Sequence, residues 1–197
     1  YAKLHPELVR EAWRRGHTIA SHTWSHPILS KTPYSKGVRQ IDRGIEAAQA
    51  ALDGLTDANG NPAQVAPFFR FPGLNHTKRL RSYLANNNIG VFSCDIGTDD
   101  WRRISPWTLY KRALRMIGSK GSGVVIFHDT HHRTSFMLPQ ILDELARRRY
   151  TTVHMVPKGD SRYLAAQKAA EGQRAELEIA PGPVAQVPPP LRPTMPN

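Results

Sequence analysis

Ser21-His22-Thr23-Trp24-Ser25-His26-Pro27 is the stretch from which the fold can be read. His22 and His26 stand four residues apart, and on one turn of helix both imidazoles would leave the same face, close enough to hold one divalent ion. The apolar run His17-Thr18-Ile19-Ala20 leads straight into the pair, and Pro27 stops any helix soon after it. A strand that delivers its carboxyl end to a ligand-bearing loop is how parallel α/β folds build sites. Nine histidines are spread along the chain, so an H-x3-H pair alone also fits ordinary surface histidines. The segments on either side decide between these readings.

Upstream, Pro6 at a first helical turn, apolar Leu8, Val9, Ala12 and Trp13, and Gly16 as a stop describe a short amphipathic helix. Downstream, Val38, Ile41, Ile45, Ala48 and Leu52 recur at helical spacing and predict a helix of about 14 to 17 residues ending near Gly54. The run 57–62 reads as a turn. Val65-Ala66-Pro67-Phe68-Phe69 then reads as a buried strand delivering Arg70-Phe71-Pro72-Gly73. A helix over 77–86, with Leu80 and Leu84 inward, precedes a second buried strand over 89–94 that empties into Asp95, Asp99, Asp100 and Trp101. Ser105-Pro106 opens a helix through about Ile117, and Val124-Val125-Ile126-Phe127 is a third apolar strand ending in His128-Asp129. A helix with Leu138, Ile141, Leu142 and Leu145 on one face leads to a last strand over 151–156. Polar residues after every strand argue for a parallel α/β sheet or barrel.

At 197 residues, 40% apolar and 22% charged, the chain has the length and composition of one globular domain. Residues 1–157 are expected to form it. Seven of the 16 prolines fall after Lys158, and 158–197 reads as a polar, Pro-rich, disordered tail. No apolar run is long enough for a membrane span and no targeting segment leads the chain, which opens on Tyr1 rather than Met, so the natural N-terminus is expected to lie upstream. Cys94, the single cysteine, excludes an internal disulfide and a cysteine-rich zinc site. All but one unit of the net charge of +11 sits in the first 157 residues, since 158–197 carries five Lys or Arg against four Asp or Glu. It is dispersed over helix faces and comes with no nucleic-acid-binding motif, which argues against a nucleic-acid partner.

The four loops, in their order, resemble the polysaccharide deacetylases of the NodB-homology type, carbohydrate esterase family 4, hydrolases that remove acetyl groups from glycans. The resemblance spans roughly residues 5–157. The family's H-S/T-x-x-H-P motif is met at every specified position by His22-Thr23-Trp24-Ser25-His26-Pro27, and its hydrophobic-x-His motif by Ile126-Phe127-His128. The resemblance implies an incomplete (β/α) barrel. It makes His22 and His26 ligands of a divalent metal, zinc or cobalt, His128 the general acid, and Arg70, from the R-x-P-Y/W motif, the residue that positions the catalytic base, with Pro72 of the same motif expected to contact the substrate. Trp101 would wall the acetyl pocket with Phe127 behind it.

Three departures accompany the match. The T-F-D-D-G motif, which supplies the base and a third metal ligand, is absent, and with it the first strand and helix of the barrel. The D-x-x-D-W motif aligned on Trp101 gives Asp100 its second Asp but Gly97 its first, so Asp95 or Asp99 is expected to help tune His128. Gly73 stands where the family has an aromatic. The expected function is metal-dependent N-deacetylation of an N-acetylglucosamine-type glycan, a chitooligosaccharide or cell-wall polymer, by a secreted, periplasmic or cell-surface enzyme. The rival readings are a catalytically inactive glycan-binding relic of the same fold and a basic nucleic-acid-binding protein.

Overall fold

The computed structural model describes residues 1–158, and Tyr1–Lys158 form one compact unit. The predicted tail, apart from Lys158, lies outside the described residues. Five helices alternate with four short strands: α1 (Pro6–Arg14), α2 (Tyr34–Leu52), β1 (Phe68–Phe69), α3 (Lys78–Asn86), β2 (Gly90–Val91), β3 (Ile96–Gly97), α4 (Pro106–Lys120), β4 (Val125–Ile126) and α5 (His132–Arg147). None of the helices is long and apolar enough to cross a membrane.

The helices follow from their sequences. Pro6 opens α1, and its one buried residue, Trp13, packs with Leu52 and Ala63. Thr77 and Ser105 cap α3 and α4, their side-chain oxygens accepting from Leu80 N and Thr108 N, which satisfies amides the first turn leaves free. Gly121, at φ 82°, ends α4 in the left-handed conformation that glycine adopts without strain. In α5 the inward face is Thr134, Met137 and Ile141, while Leu142, predicted on that face, is exposed.

The strands are all parallel. Phe68 and Phe69 of β1 pair with Gly90 and Val91 of β2, and β3 pairs with β4 in register Ile96 to Val125. The predicted strand 17–20 is reduced to an extended run held by single bonds: Ala66 N to Ile19 O, Ser21 N to Phe68 O, and Arg70 N to Ser21 O. The strand predicted over 89–94 is shortened to Gly90–Val91, and Ile96–Gly97, expected in the acidic loop, is a strand of its own. The last predicted strand, 151–156, forms no ladder. It meets the first run through the Thr18 hydroxyl, which donates to Met155 O at 2.9 Å and lies 2.8 Å from His154 Nε2. The architecture is an incomplete (β/α) barrel.

Besides the Trp13 cluster, two further apolar clusters tie the elements together. Leu29, Ile41, Phe69, Phe71, Leu80 and Leu84 join α2 and α3 to β1, and Ala113, Leu114, Met137 and Ile141 join α4 to α5. Each such large side chain contributes about 1.5–3 kcal/mol on burial. His22, Arg70, Asp100 and His128 all follow strand segments at their carboxyl ends.

Candidate active site

The His22–His26 loop is built differently from its prediction. It is not a helical turn: Thr23 and His26 hold left-handed φ of 77° and 59°. The rings nevertheless meet edge to face, with centroids 4.8 Å apart. Helix α2 fixes the loop. Gln40 O accepts from Trp24 N at 2.9 Å, Gln40 Oε1 accepts from Ser25 N at 2.9 Å, and Arg43 lies over the Trp24 ring at 4.3 Å. Gly44 is packed so closely that a Cβ there would stand 2.7 Å from the Thr23 carbonyl carbon and 2.9 Å from Ser21 Oγ. Gln40, Arg43 and Gly44 were not singled out from sequence; a glycine in mid-helix was the one signal available.

His22 Nδ1 lies 2.7 Å from Arg70 O. A carbonyl only accepts, so Nδ1 carries the proton and Nε2 is left with a free lone pair, the tautomer a metal ligand needs. Desolvation holds the His22 pKa below the ordinary histidine value although the residue keeps an exposed edge, and the positive forms of His26, Arg70 and His128 press in the same direction. Two neutral imidazoles side by side suit a borderline-soft divalent ion. Among the described residues no third His, Cys, Asp or Glu completes a cluster around them.

Arg70 leaves β1 beside His22. Its Nε is buried without a hydrogen-bond partner, an arrangement that costs free energy unless a ligand or another group meets it. Pro72 is buried in a short turn, and Gly73 holds a φ of 59°, a left-handed backbone that disfavours the aromatic of the R-x-P-Y/W pattern; a Cβ there would meet only the movable end of Ile28, at 3.0 Å from Cδ1.

The opposite wall is fully bonded. Asp100 is 0% exposed; its Oδ1 accepts from His128 Nδ1 at 2.7 Å, and its Oδ2 accepts from His128 N at 2.5 Å and Thr134 Oγ1 at 2.9 Å. Burial pushes the Asp100 pKa up, but the bonds from the His128 amide and ring and from Thr134 outweigh it, and the carboxyl titrates below the usual range. Arg133 Nη1 donates to Asp100 O at 2.8 Å. With Nδ1–H held by Asp100, His128 presents Nε2 outward.

Other expected residues fall elsewhere. Asp95 lies ahead of β3, and its Oδ2 accepts from Val124 N at 2.8 Å, so it fastens β4 rather than tuning His128. Asp99 pairs with Arg102 and Arg112. Phe127, partly buried, packs against the α4–α5 core. Trp101 is 56% exposed, with the Arg102 guanidinium 5.0 Å above its ring. Strand β3 stands between Asp95 and the site and shifts the loop onto Asp99 and Asp100.

Residues 1–92 match the family model for polysaccharide deacetylase. The chain is 24% identical over 160 residues to a chitin deacetylase of Colletotrichum lindemuthianum, covering 77% of this chain and 60% of that protein. It is 23% identical over 148 residues to the peptidoglycan-N-acetylglucosamine deacetylase PgdA of Listeria monocytogenes, covering 75% and 28%. Among solved structures, a peptidoglycan deacetylase of Bdellovibrio bacteriovorus superposes with a TM-score of 0.70 at 29% identity, over 81% of this chain and 42% of that one. The chain thus spans less than two thirds of the length of each of these relatives.

Proposed function

The chain carries a polysaccharide deacetylase domain on an incomplete barrel of that family's type, and from this premise we propose that it hydrolyses N-acetyl groups of N-acetylglucosamine-type glycans. The observation that carries the reading is the convergence, at the carboxyl ends of the strands, of the His22–His26 pair, Arg70, and a His128 oriented by buried Asp100.

His22 and His26 would hold a zinc or cobalt ion, which when bound supplies Lewis acidity toward the acetyl carbonyl and acidifies water. His128 acts from the other wall. Asp100 fixes its ring, stabilises the imidazolium, and leaves Nε2–H to protonate the amine nitrogen as the C–N bond breaks. Arg70, whose Nε is buried and unpaired, would orient a water-activating carboxylate. Trp101 would shield the acetyl methyl.

A second reading has its own support. No carboxylate pairs with Arg70 among the described residues and no third ligand joins the histidines, as in a domain that binds glycan without cleaving it. Acetate release from N-acetylglucosamine oligomers by the folded chain, with zinc or cobalt added, separates the two. Metal-dependent release lost in His22→Ala and His128→Ala supports the hydrolase; no release with oligomer binding retained supports the binding domain.

A further inference from the structure

The carboxylate that orients His128 has to be oriented itself. Two of its three bonds come from His128, the Nδ1–H to Asp100 Oδ1 and the backbone N–H to Oδ2. Both donors belong to one residue just beyond β4, and a carboxylate turns easily about its last torsion. The third donor belongs to another element. Thr134, in the first turn of α5, gives its Oγ1–H to Asp100 Oδ2 at 2.9 Å, which closes the carboxylate between strand and helix.

Three observations separate this hydroxyl from ordinary packing. Thr134 is 0% exposed and shares the inward face of α5 with apolar Met137 and Ile141. A valine has the same shape and carries no hydroxyl to desolvate, so packing alone asks for no oxygen there. The second observation is the direction of the bond. A helical Ser or Thr commonly turns its hydroxyl back to a carbonyl three or four residues earlier, as Ser135 does toward His132 O at 3.1 Å. The Thr134 hydroxyl leaves its own helix and bonds, among the described residues, to Asp100 alone. The third is the neighbour. Arg133 Nη1 donates to Asp100 O at 2.8 Å, so two successive residues of α5 grip Asp100, one by its backbone and one by its carboxylate.

Resting on the deacetylase reading, we infer that Thr134 is a positioning residue of that reaction: its hydroxyl holds Asp100 with Oδ1 on His128 Nδ1, and so keeps Nε2–H of His128 aimed at the leaving amine. Thr134 is buried and does not itself meet the substrate. Without the hydroxyl the carboxylate can swing, and the imidazole loses the partner that sets its tautomer and its angle. Zinc and glycan held by the opposite wall are left as they were.

The test is acetate release from N-acetylglucosamine tetramer by zinc-loaded 197-residue chains, with Thr134→Val, Thr134→Ala, Thr134→Ser and Asp100→Asn made singly and Thr134→Val repeated in the Asp100→Asn background. Thr134→Val should lower kcat about tenfold, the scale of one hydrogen bond to a charged group, while KM and the zinc affinity read by calorimetry change by less than about twofold. Thr134→Ala, which asks the core to fit no second methyl, should lower kcat to the same degree, and Thr134→Ser, which keeps the hydroxyl, should restore most of the rate. In the Asp100→Asn chain, Thr134→Val should cost less than about twofold more, because no carboxylate is left to aim. Ser135→Ala, one residue along the same helix, should leave kcat within about twofold of the wild type. A wild-type kcat in Thr134→Val and Thr134→Ala, a loss that Thr134→Ser does not repair, or a full tenfold loss repeated in the Asp100→Asn background overturns the inference and leaves the deacetylase reading standing. Absence of acetate release from the folded, zinc-loaded wild type overturns that reading, and the inference with it.

Discussion

The two walls of the site solve the same problem in opposite ways. The wall that ends in His128 is satisfied from within: Asp100 is buried, and its two carboxylate oxygens accept three hydrogen bonds. The wall that carries His22, His26 and Arg70 is propped by helix α2 and leaves Ser21 Oγ and Arg70 Nε buried without partners. A buried polar group without a partner is a cost that folding alone does not explain. The first wall is therefore organised before anything binds, and the second is organised for something that binds.

The largest effect should come from breaking the satisfied wall. Asp100→Ala leaves His128 N and Thr134 Oγ1 without their acceptor, and urea unfolding should show a loss of about 2–4 kcal/mol. Crowding the other wall comes next. Gly44→Ala presses a methyl into the Thr23 carbonyl and should cost about 1–3 kcal/mol while weakening zinc binding measured by calorimetry, since the loop bearing both histidines must shift.

Acid sharpens the contrast further. The Asp100 pKa is lowered in the folded chain, so its contribution is complete above the unfolded value near 3.9 and disappears as pH falls through the folded value. Unfolding free energies measured below pH 4 should decline less steeply in Asp100→Asn than in the wild type, by up to about 1.4 kcal/mol per pH unit. The smallest effect is expected at Asp95. Asp95→Asn alters one hydrogen bond, to the Val124 amide, and should change stability by under about 1 kcal/mol and acetate release by less than about twofold.

The same two walls differ in how far they could be read from sequence. The helices were legible because caps such as Thr77 and Ser105 and apolar spacings such as Ile41, Ala48 and Leu52 are local signals. The histidine pair was legible as a motif, but its geometry was not, because left-handed φ at Thr23 and His26 leaves no mark in residue type. Asp100 could be aligned with the family pattern, yet its bond to His128 depends on the pairing of β3 with β4, two residues each and separated by α4. Strands so short carry too little periodicity to set a register. The support from Gln40 and Gly44 was hidden for the same reason: α2 meets the loop through long-range packing, while its sequence pattern reports only its core face.

The central claim is that the bonded wall performs acid catalysis for a reaction set up on the other. The most direct test is acetate release from N-acetylglucosamine tetramer at saturating zinc by the wild type and Asp100→Asn. The prediction is zinc-dependent release by the wild type and a kcat lowered about 10²- to 10⁴-fold in the variant, with KM nearly unchanged. A folded, zinc-loaded wild type that releases no acetate, or an Asp100→Asn chain that works at the wild-type rate, would contradict it.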